Sequence, residues 1–243
     1  MTEAPGAAEF AEHTGDHHHA DVSGGWLRAA VFGAMDGLVT NIGLVAGVGG
    51  GGADRHIIIL TGMAGLVAGA FSMALGEFAS VDTQNEAVEH EVAVERDEIR
   101  RHPEAEQAEL ARMYERMGLS PETAAAVARD VHRNPDLAVR MHITQELGVD
   151  PEDNPSPWVA AISSFLCFSV GGLIPLIPFL FGASALWTGL LVGAIGLFGL
   201  GALTSRFTQR SWLFAGTRQL LFGALAAGAT YLVGLLIGVG VSG

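Results

Sequence analysis

Hydrophobic and polar positions fall into long blocks along this chain rather than into a fine alternation. Apolar runs cover residues 27–52 and 57–78, a polar stretch follows to residue 157, and apolar runs return at 158–181, 185–205 and 213–241. Each apolar run approaches or exceeds the ~20 residues that an α-helix needs to cross a ~30 Å hydrocarbon layer. Inside lipid a backbone has to satisfy its own hydrogen bonds, so each run is read as a helix. Residues 1–25 are polar and carry no apolar core of a signal peptide. The pattern predicts an all-α membrane protein with five transmembrane helices and a helical insert between spans 2 and 3. The expected division is a disordered tail at 1–25, spans 1 and 2 at 26–78, the insert at 79–157, and spans 3 to 5 at 158–243.

Punctuation inside the blocks refines this picture. The insert's first helix is expected to continue from span 2 through residues 81–102, until Pro103 interrupts it. A second runs over about 104–117 and stops at Gly118. Ser120-Pro121-Glu122 restarts a third, with Ser as N-cap and Pro at the first helical position. Asn134-Pro135 breaks the chain again before a last short helix, 136–147, that ends at Gly148. Pro175 and Pro178 should break or kink span 3 near one end. Gly43/Gly47, Gly65/Gly69, Gly189/Gly193 and Gly234/Gly238 each stand four apart. Such spacing lets helix backbones approach closely, within one chain or across a dimer seam. The run Gly47–Gly52 formally matches G-x-G-x-x-G, but it follows an apolar helix and no βαβ pattern comes after it.

Composition narrows the class. Only 16% of the 243 residues are charged, 49% are hydrophobic, and the mean hydropathy is high. The net charge is −13, which argues against a nucleic-acid binder, and every basic residue is Arg. Single Cys167 leaves no disulfide framework and no Cys-based zinc site. The stretch 78–157 alone holds 18 Asp/Glu and 8 Arg. Arginine placement sets the orientation. With the insert in the cytoplasm, Arg28, the insert's arginines, Arg206 and Arg210 stay inside, Arg218 lies near that face, and only Arg55 is outside. The N-terminus is then cytoplasmic and the C-terminus external. His17–His19 read as part of a solvated tail, or as a metal-collecting one.

Charges inside the apolar blocks carry the chemistry. Asp36 lies near the middle of span 1, where a carboxylate costs ~2.5–3.5 kcal/mol on insertion scales. It is read as facing a partner or a wet cavity; the alternative is a protonated Asp bonded to a neighbouring helix. Met73 and Glu77 are four apart on span 2 and share a face. Two carboxylates and a thioether favour Fe²⁺ or Mn²⁺ over Mg²⁺ or Ca²⁺, although Met73 by itself reads more readily as core. Asn41 is expected to line the same cavity. In the insert, Glu-x-x-Glu pairs recur at Glu86/Glu89, Glu95/Glu98 and Glu106/Glu109. Two such pairs from facing helices would form an oxygen cage whose like charges a cation relieves. Met141, His142 and Glu146 would add softer donors. The competing reading is a solvated acidic helix laced by Arg96, Arg100, Arg101 and Arg112, and the pattern leaves the two level.

Four stretches together look familiar: FGAMDGLVTNIGLVAGV (32–48), FSMALGEFASVDTQNEA (71–87), PEAEQAELARMYERMGLSPETA (103–124) and MHITQELGV (141–149). They resemble the vacuolar iron transporter family, in order and over nearly the whole chain after residue 25. The resemblance implies five transmembrane helices, a homodimer and a cytoplasmic helical metal-binding domain between spans 2 and 3. It also implies movement of Fe²⁺, and often Mn²⁺ or related divalent ions, out of the cytosol in exchange for protons. Asp36 and Met73 match the family's membrane-site Asp and Met. Glu95, Glu98, Glu106 and Glu109 match its cytoplasmic Glu-x-x-Glu pairs, and Glu146 its later Glu. Four positions before that Glu the family commonly has Met; here stands His142, with Met141 beside it.

The expected function is therefore a proton-coupled Fe²⁺/Mn²⁺ exporter and not an enzyme. The ions are cargo, no prosthetic group is required, and the partners are divalent ions, the lipid bilayer and a second copy. An all-Arg basic set suggests a GC-rich bacterial source, hence a bacterial plasma membrane. The alternative is a membrane-tethered, ferritin-like iron oxidase or storage protein. Against it, none of His90, His102, His132 and His142 follows a Glu by three positions, so the Glu-x-x-His element of such sites is missing.

Overall fold

The computed structural model describes residues 25–208 and 210–241, so His17–His19 lie outside the described residues. Helix α1 spans Gly25–Gly50 and α2 Arg55–Arg101. Three short helices follow: α3 Pro103–Arg116, α4 Pro121–Val131 and α5 Pro135–Leu147. Helix α6, Pro157–Leu173, passes through a 3₁₀ turn, Ile174–Leu176, into the one-turn α7, Ile177–Leu180. Helices α8, Leu186–Thr208, and α9, Trp212–Val241, complete the chain. The described residues contain five helical segments long and apolar enough to cross a membrane, and this is a membrane protein.

The 47 residues of α2 make a rod about 70 Å long at 1.5 Å per residue. That is more than twice a hydrocarbon layer, so its apolar first half lies in the bundle and its polar second half projects as the backbone of a separate module. Helices α3, α4 and α5 fold back on that half around two apolar clusters. One joins Leu110, Met113 and Tyr114 to Ala124 and Ala128; the other joins Ile99 to Ala138, Val139 and Ile143. The helix ends follow the punctuation. Ser120 Oγ accepts from Thr123 N, and Asn134 Oδ1 accepts from the amides of Asp136 and Leu137. Gly148 closes α5 in the left-handed conformation at φ 70°. Pro103 and Pro135 each begin their helix, because the first turn needs no proline N–H.

Helix α1 is the hub, packing on α2, α6, α8 and α9. Glycine makes this possible. A Cβ on Gly171 would strike the backbone carbonyl of Ala34, and one on Gly234 that of Gly47. All four glycine pairs face neighbours within the same chain: Gly43/Gly47 meet Thr230, Gly65/Gly69 meet Leu44 and Phe168, Gly189/Gly193 meet Phe179 and Ile42, and Gly234/Gly238 meet Gly47 and Gly51. The spacing that left a dimer seam open thus serves internal packing. Pro175 and Pro178 do break span 3, and Arg55 Nε, at the first residue of α2, donates to Phe179 O at 2.6 Å. All four tryptophans lie in the first turns of apolar helices and are exposed, Trp26, Trp158 and Trp212 at the end of the bundle that carries the polar module and Trp187 at the other. That is the placement of an interfacial aromatic belt.

Gly171→Ala should destabilise the protein by about 1–3 kcal/mol, since the clash is with backbone. Gly228→Ala, directed into open space, should be neutral or stabilising by up to ~1 kcal/mol. Thermal unfolding of the detergent-solubilised chain distinguishes them.

Candidate metal centre

In the polar module, carboxylates from three helices converge on one imidazole. His142 on α5 is fully buried. Its Nδ1 lies 3.1 Å from Glu95 Oε1 on α2, 3.3 Å from Glu146 Oε1 one turn along α5, and 3.8 Å from Glu106 Oε2 on α3. The ligand atoms of Glu95, His142 and Glu146 all lie within 4.8 Å of one another. A cation ~2.0–2.2 Å from its donors spaces them by about 3–3.5 Å, so small side-chain rotations would bring this set to bonding distance. Glu95 Oε1 is the telling atom: it is buried and accepts no hydrogen bond, even though Nδ1 is close. A buried oxygen without a donor is costly unless something else satisfies it, and a cation would.

The electrostatics agree. Burial pushes Glu95 up to about 7, His142 opposes the rise, and Glu146, Glu106 and Glu109 add to it. Burial is also the main reason Glu106 is raised. The arginines that suggested a merely solvated helix pair elsewhere: Arg96 with Asp136, Arg100 and Arg101 with Asp97, and Arg112 with Glu109 at 4.0 Å. The module thus has two different faces, an arginine-laced outer surface and an inner one on which carboxylates converge. Within the Glu95/Glu98 and Glu106/Glu109 pairs the members divide. Glu95 and Glu106 point inward, while Glu98 and Glu109 stand at the margin, each nearly half exposed. Met141 packs against the Leu110–Met113–Tyr114 cluster. Glu86 and Glu89 are exposed and stand apart from the cluster.

Sequence reasoning assigned no role to His132. Its Nε2 lies 3.2 Å from His142 Nε2, on the side of the ring away from the carboxylates. Burial, then His142, holds its pKa below the ordinary value. The Asn134-Pro135 reversal folds the end of α4 over the second turn of α5, and that turn was the available signal.

A second grouping lies within the bundle. Asp36, Met73 and Glu77 line one cavity of about 370 Å³, together with Thr40 and Ser72. Asp36 is half-buried and makes no hydrogen bond or ion pair to a described residue. Glu77 is buried and its Oε2 pairs with Arg28 Nη2 at 2.9 Å, so one oxygen of this expected ligand is already engaged. Asn41 does not line the cavity. It is fully buried, with Nδ2 donating to Gly172 O at 2.7 Å, because that position of α1 faces α6 across the glycine contact. Arg28 lines a neighbouring cavity of about 430 Å³ beside Gln84, Asn85, Glu89 and Asp150. The Arg28–Glu77 pair thus stands between the cavity under the polar module and the cavity holding Asp36.

A family model described as VIT family matches residues 27–235. The chain is 30% identical over 233 residues to vacuolar iron transporter 1 of Oryza sativa subsp. japonica, covering 93% of this chain and 92% of that protein. It is 35% identical over 228 residues to the vacuolar iron transporter of Acanthamoeba castellanii, covering 91% and 83%. Vacuolar iron transporter 1 of Arabidopsis thaliana is 27% identical over 227 residues, covering 91% of each.

Metal binding needs ionised carboxylates, so protons compete with cations. With Glu95 titrating at about 7, Mn²⁺ affinity should fall about tenfold per pH unit below that point for each proton displaced. The sign for folding without metal is set by the same raised pKa. Its stabilising contribution is complete below the ordinary glutamate value of 4.5 and is lost as pH rises through about 7. Metal titrations and thermal melts across that window test both.

Proposed function

The chain belongs to the VIT family, and from that premise we propose that it moves iron and related divalent cations across a lipid bilayer in exchange for protons. The observation that carries this reading is Asp36, a carboxylate on a membrane helix with no partner among the described residues, which lines a cavity shared with Met73 and Glu77. Keeping it there costs about 2.5–3.5 kcal/mol on insertion scales, which a bound cation offsets. The relatives are named transporters rather than enzymes, in keeping with a carrier whose metals are cargo.

In this proposal the polar module lies in the cytoplasm. Support comes from the arginines: Arg28, Arg206, Arg210 and the module's own share one end of the bundle, and Arg55 marks the other. The acidic surface concentrates Fe²⁺ or Mn²⁺ near the mouth. Glu95, Glu106, Glu146 and His142 hold an ion there, with Glu98 and Glu109 at the rim. Release toward the bundle passes Arg28–Glu77, where an arriving cation competes with the guanidinium for the carboxylate. Asp36 and Met73 then receive it. Protons entering from the far side displace it, because the same oxygens cannot hold both, so one set of carboxylates couples H⁺ influx to metal efflux. The working unit is a homodimer, as the family resemblance implies, and metal leaves the cytosol.

Asp36→Ala and Asp36→Asn should abolish Fe²⁺ and Mn²⁺ flux in proteoliposomes under a pH gradient; wild-type flux in either variant would remove the membrane site from the mechanism. Combined Glu95→Gln and Glu106→Gln should reduce flux at low metal and recover it at high metal, as expected of a collecting site. Dissipating the pH gradient should stop wild-type flux, which a fluorescent proton indicator measured alongside metal will test.

A further inference from the structure

We propose that His132 is a positioning residue that fixes His142 as a nitrogen donor, and so biases the polar site toward imidazole-liking ions such as Co²⁺, Ni²⁺ and Zn²⁺. This rests on the metal reading of that site given above. His142 has no solvent-exposed surface, so both ring nitrogens must find partners inside the protein. Nδ1 faces the carboxylates of Glu95, Glu146 and Glu106. Nε2 has one hydrogen-bond partner among the described residues, Nε2 of His132 at 3.2 Å.

A neutral imidazole has one donor and one acceptor nitrogen. To bind a cation, Nδ1 must present its lone pair, which places the ring hydrogen on Nε2. His132 Nε2 is then the acceptor. The rings meet at 77° with centroids 5.4 Å apart, an end-on rather than a stacked contact, as a hydrogen bond between the two nitrogens requires. Partners of this kind fix the tautomer and orientation of metal-binding histidines. Glu95 Oε1, buried and without a hydrogen bond, lies beside the lone pair so oriented. Carboxylates alone suit Mn²⁺ and Mg²⁺; an added imidazole favours ions later in the divalent series.

The test is Co²⁺ and Mn²⁺ titration of the full detergent-solubilised chain, by calorimetry and by the visible Co²⁺ spectrum. His132→Leu should weaken Co²⁺ binding by about 10–100-fold, weaken Mn²⁺ less, and shift the Co²⁺ spectrum toward an all-oxygen site. His132→Gln, whose amide oxygen can accept from Nε2–H, should restore most of the affinity. In a His142→Met background, His132→Leu should cost nothing further, because the ring it orients is gone. Wild-type Co²⁺ affinity in His132→Leu, failure of Gln to rescue, or an undiminished effect in the His142→Met background would each overturn the proposal. Co²⁺ binding by the Glu95→Gln, Glu106→Gln double variant that equals that of the wild type would instead overturn the metal reading on which it rests.

Discussion

Negative charge gathered at short range is the constraint around which this molecule is arranged. Glu95, Glu106 and Glu146 all approach one imidazole nitrogen, and in isolation they would repel one another and turn toward water. They are held because each belongs to a different part of a packed module. Glu95 is carried by the rigid continuation of a membrane helix, Glu106 by the helix that starts at Pro103, and Glu146 by the helix closed at Gly148. Two apolar clusters hold these helices together on either side of the site. The module's arginines neutralise its outer carboxylates and leave the inner ones free.

The same economy appears in the bundle, by a different route. Glycines bring α1 into backbone contact with α6 and α9, so four neighbours fit around one central helix. That packing leaves a cavity on one side of α1, where Asp36 faces Met73 and Glu77 of α2. Because α2 runs unbroken from this cavity into the polar module, the two acidic sites are fixed to one rod. Arg28 on α1 closes the interval between them by pairing with Glu77.

Much of this was legible beforehand, and the exceptions share a cause. Apolar block lengths located the five spans, and Pro and Gly located the breaks to within a residue or two. Both signals are local, since a proline ends a helix whatever surrounds it. The pairing of Asp36 with Met73 was also accessible, through the four-residue repeat on span 2 and the family pattern. Glu98 and Glu109 were indistinguishable from Glu95 and Glu106, because three-residue spacing gives a shared side of a helix but not which member faces inward. Asn41 was assigned to the cavity on polarity alone, whereas its position on α1 turns it to α6. His132 had no periodic relation to its partner.

Sequence by itself determined what depends on solvent and on neighbours along the chain: which segments enter lipid, where helices start and stop, and how acidic the insert is. Tertiary structure decided what depends on the rotation of one helix against another. That includes the inward choice of Glu95 and Glu106, the engagement of Glu77 by Arg28, the internal use of the glycine pairs, and the His132–His142 contact. The physical reason is that hydrophobicity and backbone sterics act residue by residue, whereas the phase between packed helices is set by how all their side chains interlock at once.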